Sequence, residues 1–410
     1  MITFRGHRHW PAGNLLLIGV SIGYFAMAQS SASKDLQALN MGSAKFSSDL
    51  FSVLRKGKPA ENLIVSPLSV QIALAFVYAG ADGKTKNELA KLLHIDPSND
   101  AVSLKAYKEL IGSLQKPGLK LASSVFFNKV LKLHDTYKTK VGKNFGGNFE
   151  QVDFSDSSAA ANTINNWCKN NTNKKIEKLF EPSDLDRNTM AVIANAIHFK
   201  AMWKKKFEPS RTNDMDFHGI NGITQVKMMH QTGHFNYGQV NSIQAQLLEL
   251  PYENGDFRML IILPFPDATL ASVDEKLKTK DLSEVLKELY STEVDVSLPR
   301  FKIESELDLE GALKELGVID MFRDTANLSG ISSDPLFVSK VKQKAFIEVN
   351  EEGTEAAAVT AARIQKRSLP FREEFKANRP FAIVLADGGG SILFQGAVHL
   401  LDAATLRDEL

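Results

Sequence analysis

The chain has 410 residues, of which 43% are hydrophobic and 24% charged, so it carries enough apolar material to bury a large core. Basic and acidic residues nearly balance, 49 against 48, which removes the basic excess that a nucleic-acid-binding face requires. A single cysteine, Cys168, excludes an intrachain disulfide.

Residues 1–28 read as a signal peptide, with Arg5 and Arg8 in a positive leader, an apolar run from Leu15 to Phe25, and Ala26-Met27-Ala28 as a small-x-small cleavage site. That run is too short to span a bilayer, which takes ~20 residues, so it reads as a cleaved leader rather than a signal anchor, and with it removed no membrane span is expected in the mature chain. Cleavage removes two arginines and no acids, and the formal charge falls from +1 to −1. Residues 29–410 are expected to form one domain.

Phe46, Leu50, Phe51 and Leu54 recur at helical spacing and predict a helix over Ser43–Arg55. Ser66-Pro67 is a helix start, and the nearly all-apolar run Leu68–Ala79 predicts a buried helix behind it. Shorter helices are expected over Thr85–Leu93, ending before Asp96-Pro97, and over Val102–Leu114. Branched and aromatic residues predict strands at Lys120–Asn128, Met190–Phe199, Gln246–Leu250, Met259–Leu263 and Glu293–Leu298. Leu307–Leu316 reads as a helix stopped by Gly317, and Phe381–Ala386 with Ile392–Val398 as a hairpin around Gly388-Gly389-Gly390. The fold class that follows is mixed α+β.

Catalytic signatures are missing. Gly80-Ala81-Asp82-Gly83-Lys84-Thr85 ends like a phosphate-binding loop, but the first glycine of that motif would fall on Tyr78. The one Gly-x-Ser-x-Gly run, Gly19–Gly23, lies inside the apolar leader and is no strand-turn-helix elbow, no His-Glu-x-x-His helix occurs, and the nine histidines show no metal-ligand spacing. Neither an enzyme, a metal site nor an organic cofactor is expected. Cys168 reads as a half-buried helical thiol, His198 as an interior residue of a strand, and Lys204-Lys205-Lys206 as a solvated basic run. Asn170 and Asn327 head glycosylation sequons.

Six segments carry a resemblance when taken in order. They are Asn62–Ser69 with Gly80–Thr85, Asn195–Trp203, Leu298–Phe301, Leu328–Ile331, Lys344–Thr354, and Phe375–Phe381. Together they resemble the serpin family over nearly the whole mature chain. The resemblance implies three β-sheets, eight to nine helices and an exposed reactive-centre loop over about 351–375. It further implies a monomer that inhibits serine endopeptidases as a suicide substrate. The protease cuts the loop and is held as an acyl complex while the loop enters the main sheet as a new strand.

Within that family pattern, Glu351, Glu352, Gly353, Thr354, Glu355, Ala356, Ala357 and Ala358 form the hinge. Along an inserted strand Thr354, Ala356, Ala358, Thr360, Ala362 and Ile364 share one face, which carries no charge, whereas the other face carries Glu355 and Arg363. The first face is therefore the one expected to be buried. The family spacing of seventeen residues, counted inclusively from Glu351, lands on Arg367, and makes Arg367–Ser368 the reactive bond. Arginine suits a carboxylate at the base of a trypsin-like pocket. Lys366-Arg367 is also a dibasic pair of the kind read by subtilisin-like proprotein convertases, with Lys366 as an alternative scissile residue and Arg363 as its subsite residue. The family's gate beneath the main sheet maps to Ser66, Asn195 and Gln343, the last replacing a frequent histidine.

Arg407-Asp408-Glu409-Leu410 is a variant of the endoplasmic-reticulum retrieval signal, implying a retrieval receptor as partner and residence in the lumen with some secretion. The same tail suits a non-inhibitory, collagen-binding serpin chaperone. The hinge favours the inhibitor, because a chaperone has no need of an insertable strand.

Overall fold

The computed structural model describes residues 33–146, 149–278, 280, 282–354 and 372–401. The leader, Glu355–Ala358, Arg363, Lys366, Arg367, Ser368 and the tail 407–410 lie outside the described residues.

The first half of the chain runs α1 Lys34–Gly57, β1 Leu63–Val65, α2 Pro67–Tyr78, α3 Gly83–Leu93, α4 Asp100–Ser113, β2 Leu119–Asn128, α5 Asp135–Phe145, β3 Phe149–Val152, α6 Ser157–Asn171, β4 Ala191–Phe199 and β5 Ala201–Met202. The second half runs β6 Asn213–Gly219, β7 Gly222–Val240, β8 Ala245–Pro251, β9 Phe257–Pro264, α7 Leu270–Leu277, α8 Leu282–Leu286, β10 Tyr290–Pro299, β11 Phe301–Asp308, α9 Glu310–Glu315, β12 Val338–Val349, β13 Gly353–Thr354, β14 Glu373–Lys376, β15 Phe381–Asp387 and β16 Ile392–Val398. The fold is α+β with several sheets and nine α-helices among the described residues.

By hydrogen bonding, the strands form two ladders. One has seven strands, with β3-β2-β4-β12-β13-β5 in order and β11 on β12. The other has nine, because β7, 19 residues long, pairs in turn with β6 over 222–228, with β10 over 228–237 and with β8 over 236–240. Two of the three family sheets are thus continuous through that strand.

The seven-stranded sheet is covered on both faces, and the sequence shows why. Every residue of β4 is buried, as expected of a strand with no solvated side. Its odd positions Ile193 and Ile197 join the main core, while Val192, Ala194 and Ala196 join a second core with Phe126, Ile164, Cys168 and Phe180 under α6. Beneath the main-core face lies α2, all twelve of whose residues are buried, so it has no polar stripe to read.

Two readings need correction. Leu307–Leu316 is helical only over Glu310–Glu315, because Leu307 and Asp308 end β11, which pairs residue for residue with β12. Cys168 is fully buried rather than half-buried, packed among the apolar residues under α6, and burial pushes its thiol up to about 12. Such a thiol is inert as a nucleophile at neutral pH.

Candidate functional site

Strands β4 and β12 run parallel and pair directly from Ala191 and Val338 up to His198 and Phe346. Two polar constellations hold this seam.

The lower one is the gate. Alternation turns Val341, Gln343, Ala345 and Ile347 of β12 to the main core, and Gln343 is the polar member of that row. The register sets it opposite Asn195 of β4. Its Nε2 donates to Asn195 Oδ1 at 2.5 Å, to the Ser66 carbonyl at 2.9 Å and to Ser69 Oγ at 3.1 Å, while its Oε1 accepts from the Ser66 N–H at 2.8 Å. Ser66 is the residue before α2, yet its hydroxyl makes no capping bond, and Gln343 satisfies the Ser66 main chain instead. Ser69 Oγ donates to Asn195 Oδ1 at 2.6 Å, and Asn195 Nδ2 donates to Ser123 Oγ at 2.7 Å. Ser66, Asn195 and Gln343 therefore meet, and Ser69 and Ser123 complete a network that spans α2, β2, β4 and β12. All five residues are at most 1% exposed, and none ionises near neutral pH.

The upper constellation is the hinge. Beyond Val349 the chain turns at Asn350–Glu352 and returns antiparallel as β13, so that Thr354 pairs with Val349 on one side and with Ala201 of β5 on the other. Gly353 has a φ of 153°, and a Cβ there would lie 2.1 Å from the Ala201 carbonyl oxygen, so only glycine fits between β13 and β5. Thr354 is fully buried on the core side, and its hydroxyl lies 2.8 Å from the Tyr252 hydroxyl. Burial raises the Tyr252 hydroxyl above its ordinary range, which keeps it protonated as a donor or acceptor here. The Tyr252 ring stacks on Trp203 with centroids 4.4 Å apart. Trp203 in turn binds the turn twice, its main-chain N–H to the Glu352 carbonyl at 2.9 Å and its Nε1 to the Asn350 carbonyl at 3.0 Å.

Charge fixes the turn. Glu351 is 4% exposed, and Arg300 Nε reaches both of its carboxylate oxygens at 2.7 Å while Nη2 lies 2.6 Å from Oε1. Thr212 Oγ1 donates to the same carboxylate at 2.5 Å. Lys206 pairs with Glu352, so the basic run at 204–206 is in part a hinge contact rather than a solvated edge. A buried carboxylate with this many charge-assisted donors is costly to unpair.

Sequence reasoning found Ser66, Asn195, Gln343 and Glu351–Thr354 but assigned no role to Arg300, Thr212, Lys206, Trp203 or Tyr252. Trp203 and Arg300 stand inside quoted motifs, whereas Tyr252 reaches the site through its bridge to Trp203 and Thr212 from the loop before β6. Asn170 and Asn327 are both exposed, although the Asn327 Oδ1 already accepts from Ser329 Oγ at 2.7 Å. Among the described residues no cluster of His, Cys, Asp and Glu could hold a metal ion, and no helix is long and apolar enough to cross a membrane.

A hinge zipped by one residue into the top of a closed seam invites comparison with known proteins. Residues 41–400 match the family model described as serpin (serine protease inhibitor). The leukocyte elastase inhibitor of Sus scrofa is 37% identical over 375 residues, covering 88% of this chain and 99% of that protein. Serpin B11 of Mus musculus is 34% identical over 383 residues, with the same coverage. The crystal structure of Serpin48 from the insect Tenebrio molitor superposes with a TM-score of 0.81 at 31% identity, over 90% of this chain and all of that one. The chain belongs to the serpin family of serine protease inhibitors.

Proposed function

We propose that the protein traps serine endopeptidases covalently, with Arg367–Ser368 as the reactive bond. The protease serine attacks the Arg367 carbonyl carbon, the bond to the Ser368 nitrogen breaks, and the new amine leaves on Ser368 while Arg367 stays as an ester on the enzyme. Insertion of the freed strand then outruns hydrolysis. The observation that carries this reading is the pairing of Thr354 with both Val349 and Ala201, since it is the first step of the insertion that trapping needs.

The two registers can be continued downwards, and they agree. Stepping along β12 from Val349 and along β5 and β4 from Ala201 brings Thr360 opposite Gln343 on one side and Asn195 on the other. A threonine hydroxyl at that level can donate and accept where Gln343 and Asn195 now bond directly, so inserting the strand need not leave the gate unsatisfied.

The target class is trypsin-like enzymes or dibasic-specific convertases, on the strength of Arg367 and Lys366. The leader at 1–28 and the tail at 407–410 support a luminal, retrieved and partly secreted protein that acts as a monomer, with glycans at Asn170 and Asn327. Mixing the mature chain with trypsin, and separately with a convertase, tests the reading on denaturing gels. A stable adduct and a new N-terminus at Ser368 are expected; clean cleavage without adduct would overturn it. Deleting Arg407–Leu410 is expected to raise secretion.

A further inference from the structure

A cleft of about 490 Å³ opens beside the hinge and is walled in part by Ala201 and Met202, the residues that pair with Thr354 and Gly353. Its chemistry is two-sided. Lys120 lies opposite His198, and Lys200 follows two positions along the same face, so the two lysines are diagonal neighbours across adjoining strands. Both are exposed, and neither ammonium has an ion-pair or hydrogen-bond partner among the described residues. Asp256, on the same wall, is held by Lys116 at 3.0 Å, which leaves Glu253 as the one unpaired carboxylate of the lining. The apolar part is chiefly Met202, a large apolar side chain left 39% exposed, with the nearly buried Phe257 also in the lining.

We propose that this cleft binds a small amphipathic organic anion, a carboxylate or sulfonate on an aromatic or branched apolar body, and that its occupancy holds the hinge in the zipped position. The anionic group meets Lys120 and Lys200, and the apolar body covers Met202 and Phe257. Coupling runs through β5. Met202 and Ala201 line the cleft and pair with Gly353 and Thr354, and the buried Tyr252 bonds Thr354 with its hydroxyl while its stacking partner Trp203 binds the hinge turn. A ligand that fits Met202 in this arrangement binds the zipped state better than the unzipped one, and shifts the hinge by that difference. The regulatory half of the proposal rests on the trapping reading; the binding half does not.

The test uses 8-anilinonaphthalene-1-sulfonate as probe and the full mature chain carrying Trp167→Phe, so that Trp203 reports alone once the leader is removed. Expected are saturable 1:1 binding, a change in Trp203 emission, and slower hydrogen exchange of the Gly353 and Thr354 amides in the bound state. Lys120→Glu with Lys200→Glu is expected to weaken binding at least tenfold, and N-phenylnaphthylamine, which lacks the sulfonate, to bind at least tenfold more weakly than the probe. Equal affinity in the double variant, or equal affinity for the uncharged compound, overturns the site. Binding that leaves hinge exchange unchanged overturns the coupling. Neither readout needs a protease, so a chain that failed to trap trypsin would sink the trapping reading while this test still decided the site.

Discussion

The hinge and the gate hold the same seam by opposite means. At the top, β13 already stands between β12 and β5, and the turn above it is fixed by ions, Glu351 with Arg300 and Glu352 with Lys206. Below, β4 and β12 pair directly, and four neutral side chains, those of Gln343, Asn195, Ser69 and Ser123, together with the Ser66 main chain bind them to each other and to the helix beneath. Charge-assisted bonds are strong and intolerant of lost partners; neutral amide and hydroxyl bonds can be exchanged one for one with little net change. The proposed insertion, which needs a seam anchored at one end and opening progressively from it, suits that division: the anchor is ionic, and the bonds to be replaced are neutral.

The difference can be broken first at the anchor. Glu351→Lys sets a second cation against Arg300 in a site that is nearly closed to water, and is expected to cost about 3–5 kcal/mol. The urea midpoint should fall sharply, and Glu351→Gln, which can still accept from Arg300, should fall less. Equal midpoints for all three proteins would mean that the ion pair does not anchor the turn. Next in size is Thr354→Arg. The buried hydroxyl on Tyr252 gives way to a cation on the core side of the sheet, a burial that costs several kcal/mol if the charge is unpaired. The hinge should leave the sheet, seen as loss of Thr354 amide protection, and trypsin should cleave the chain instead of forming an adduct. An unchanged adduct yield would show that the inward face is not the one carrying Thr354.

How much of this was legible in the sequence depended on how local each cause is. The buried helix α2 was readable because Pro67 and an unbroken apolar run are adjacent in the chain. Strand β11 was missed although Phe301, Ile303, Ser305 and Leu307 alternate with Lys302, Glu304, Glu306 and Asp308, a period-two pattern that a helix assigned from Leu307 overran. The hinge residues were found by their family motif, but their anchors were not. Arg300 stands 51 residues from Glu351 and Thr212 stands 139 away, and no spacing rule joins residues that meet only through sheet topology. Gln343 was placed at the gate, whereas the bonds it makes to the Ser66 main chain could come only from coordinates.

The gate itself can be tested at intermediate size. Gln343→Ala leaves the Ser66 N–H without its partner in a dry site, at about 1–3 kcal/mol, while the Ser66 carbonyl keeps the Val70 N–H and the Ser69 hydroxyl. Gln343→His is the more informative change, because it puts a titrating group into a network that now has none. Burial among neutral partners should lower the imidazole's pKa, so its contribution should be present above about pH 6.5 and lost as pH falls. Hydrogen exchange of the β4 and β12 amides at pH 8 and pH 5.5 should separate the variant from the parent protein; the same ratio in both would mean that the gate does not control opening of the seam.

The smallest expected effect lies away from the seam and sets the baseline against which the gate variant is read. His399, just beyond β16, is buried and held at about 4, first by burial and then by the neighbouring Arg55 cation. Arg55 Nη1 lies 2.7 Å from His399 Nε2, and since a guanidinium can only donate, that nitrogen is the acceptor and the proton of the neutral ring sits on Nδ1. Protonation would destroy the acceptor and face one cation with another. Because the folded pKa lies below the unfolded value near 6.5, the unfolded chain takes up the proton first as the solution is acidified. Stability is therefore intact above about pH 6.5 and falls between there and about pH 4, by ~1 kcal/mol at pH 5.5. His399→Gln keeps an acceptor for Arg55 and removes the titration, so the urea midpoint should change less between pH 7.5 and pH 5.5 than in the parent. If both proteins lose the same amount, the acid sensitivity belongs to other groups, and the Gln343→His comparison must be corrected for them rather than for His399.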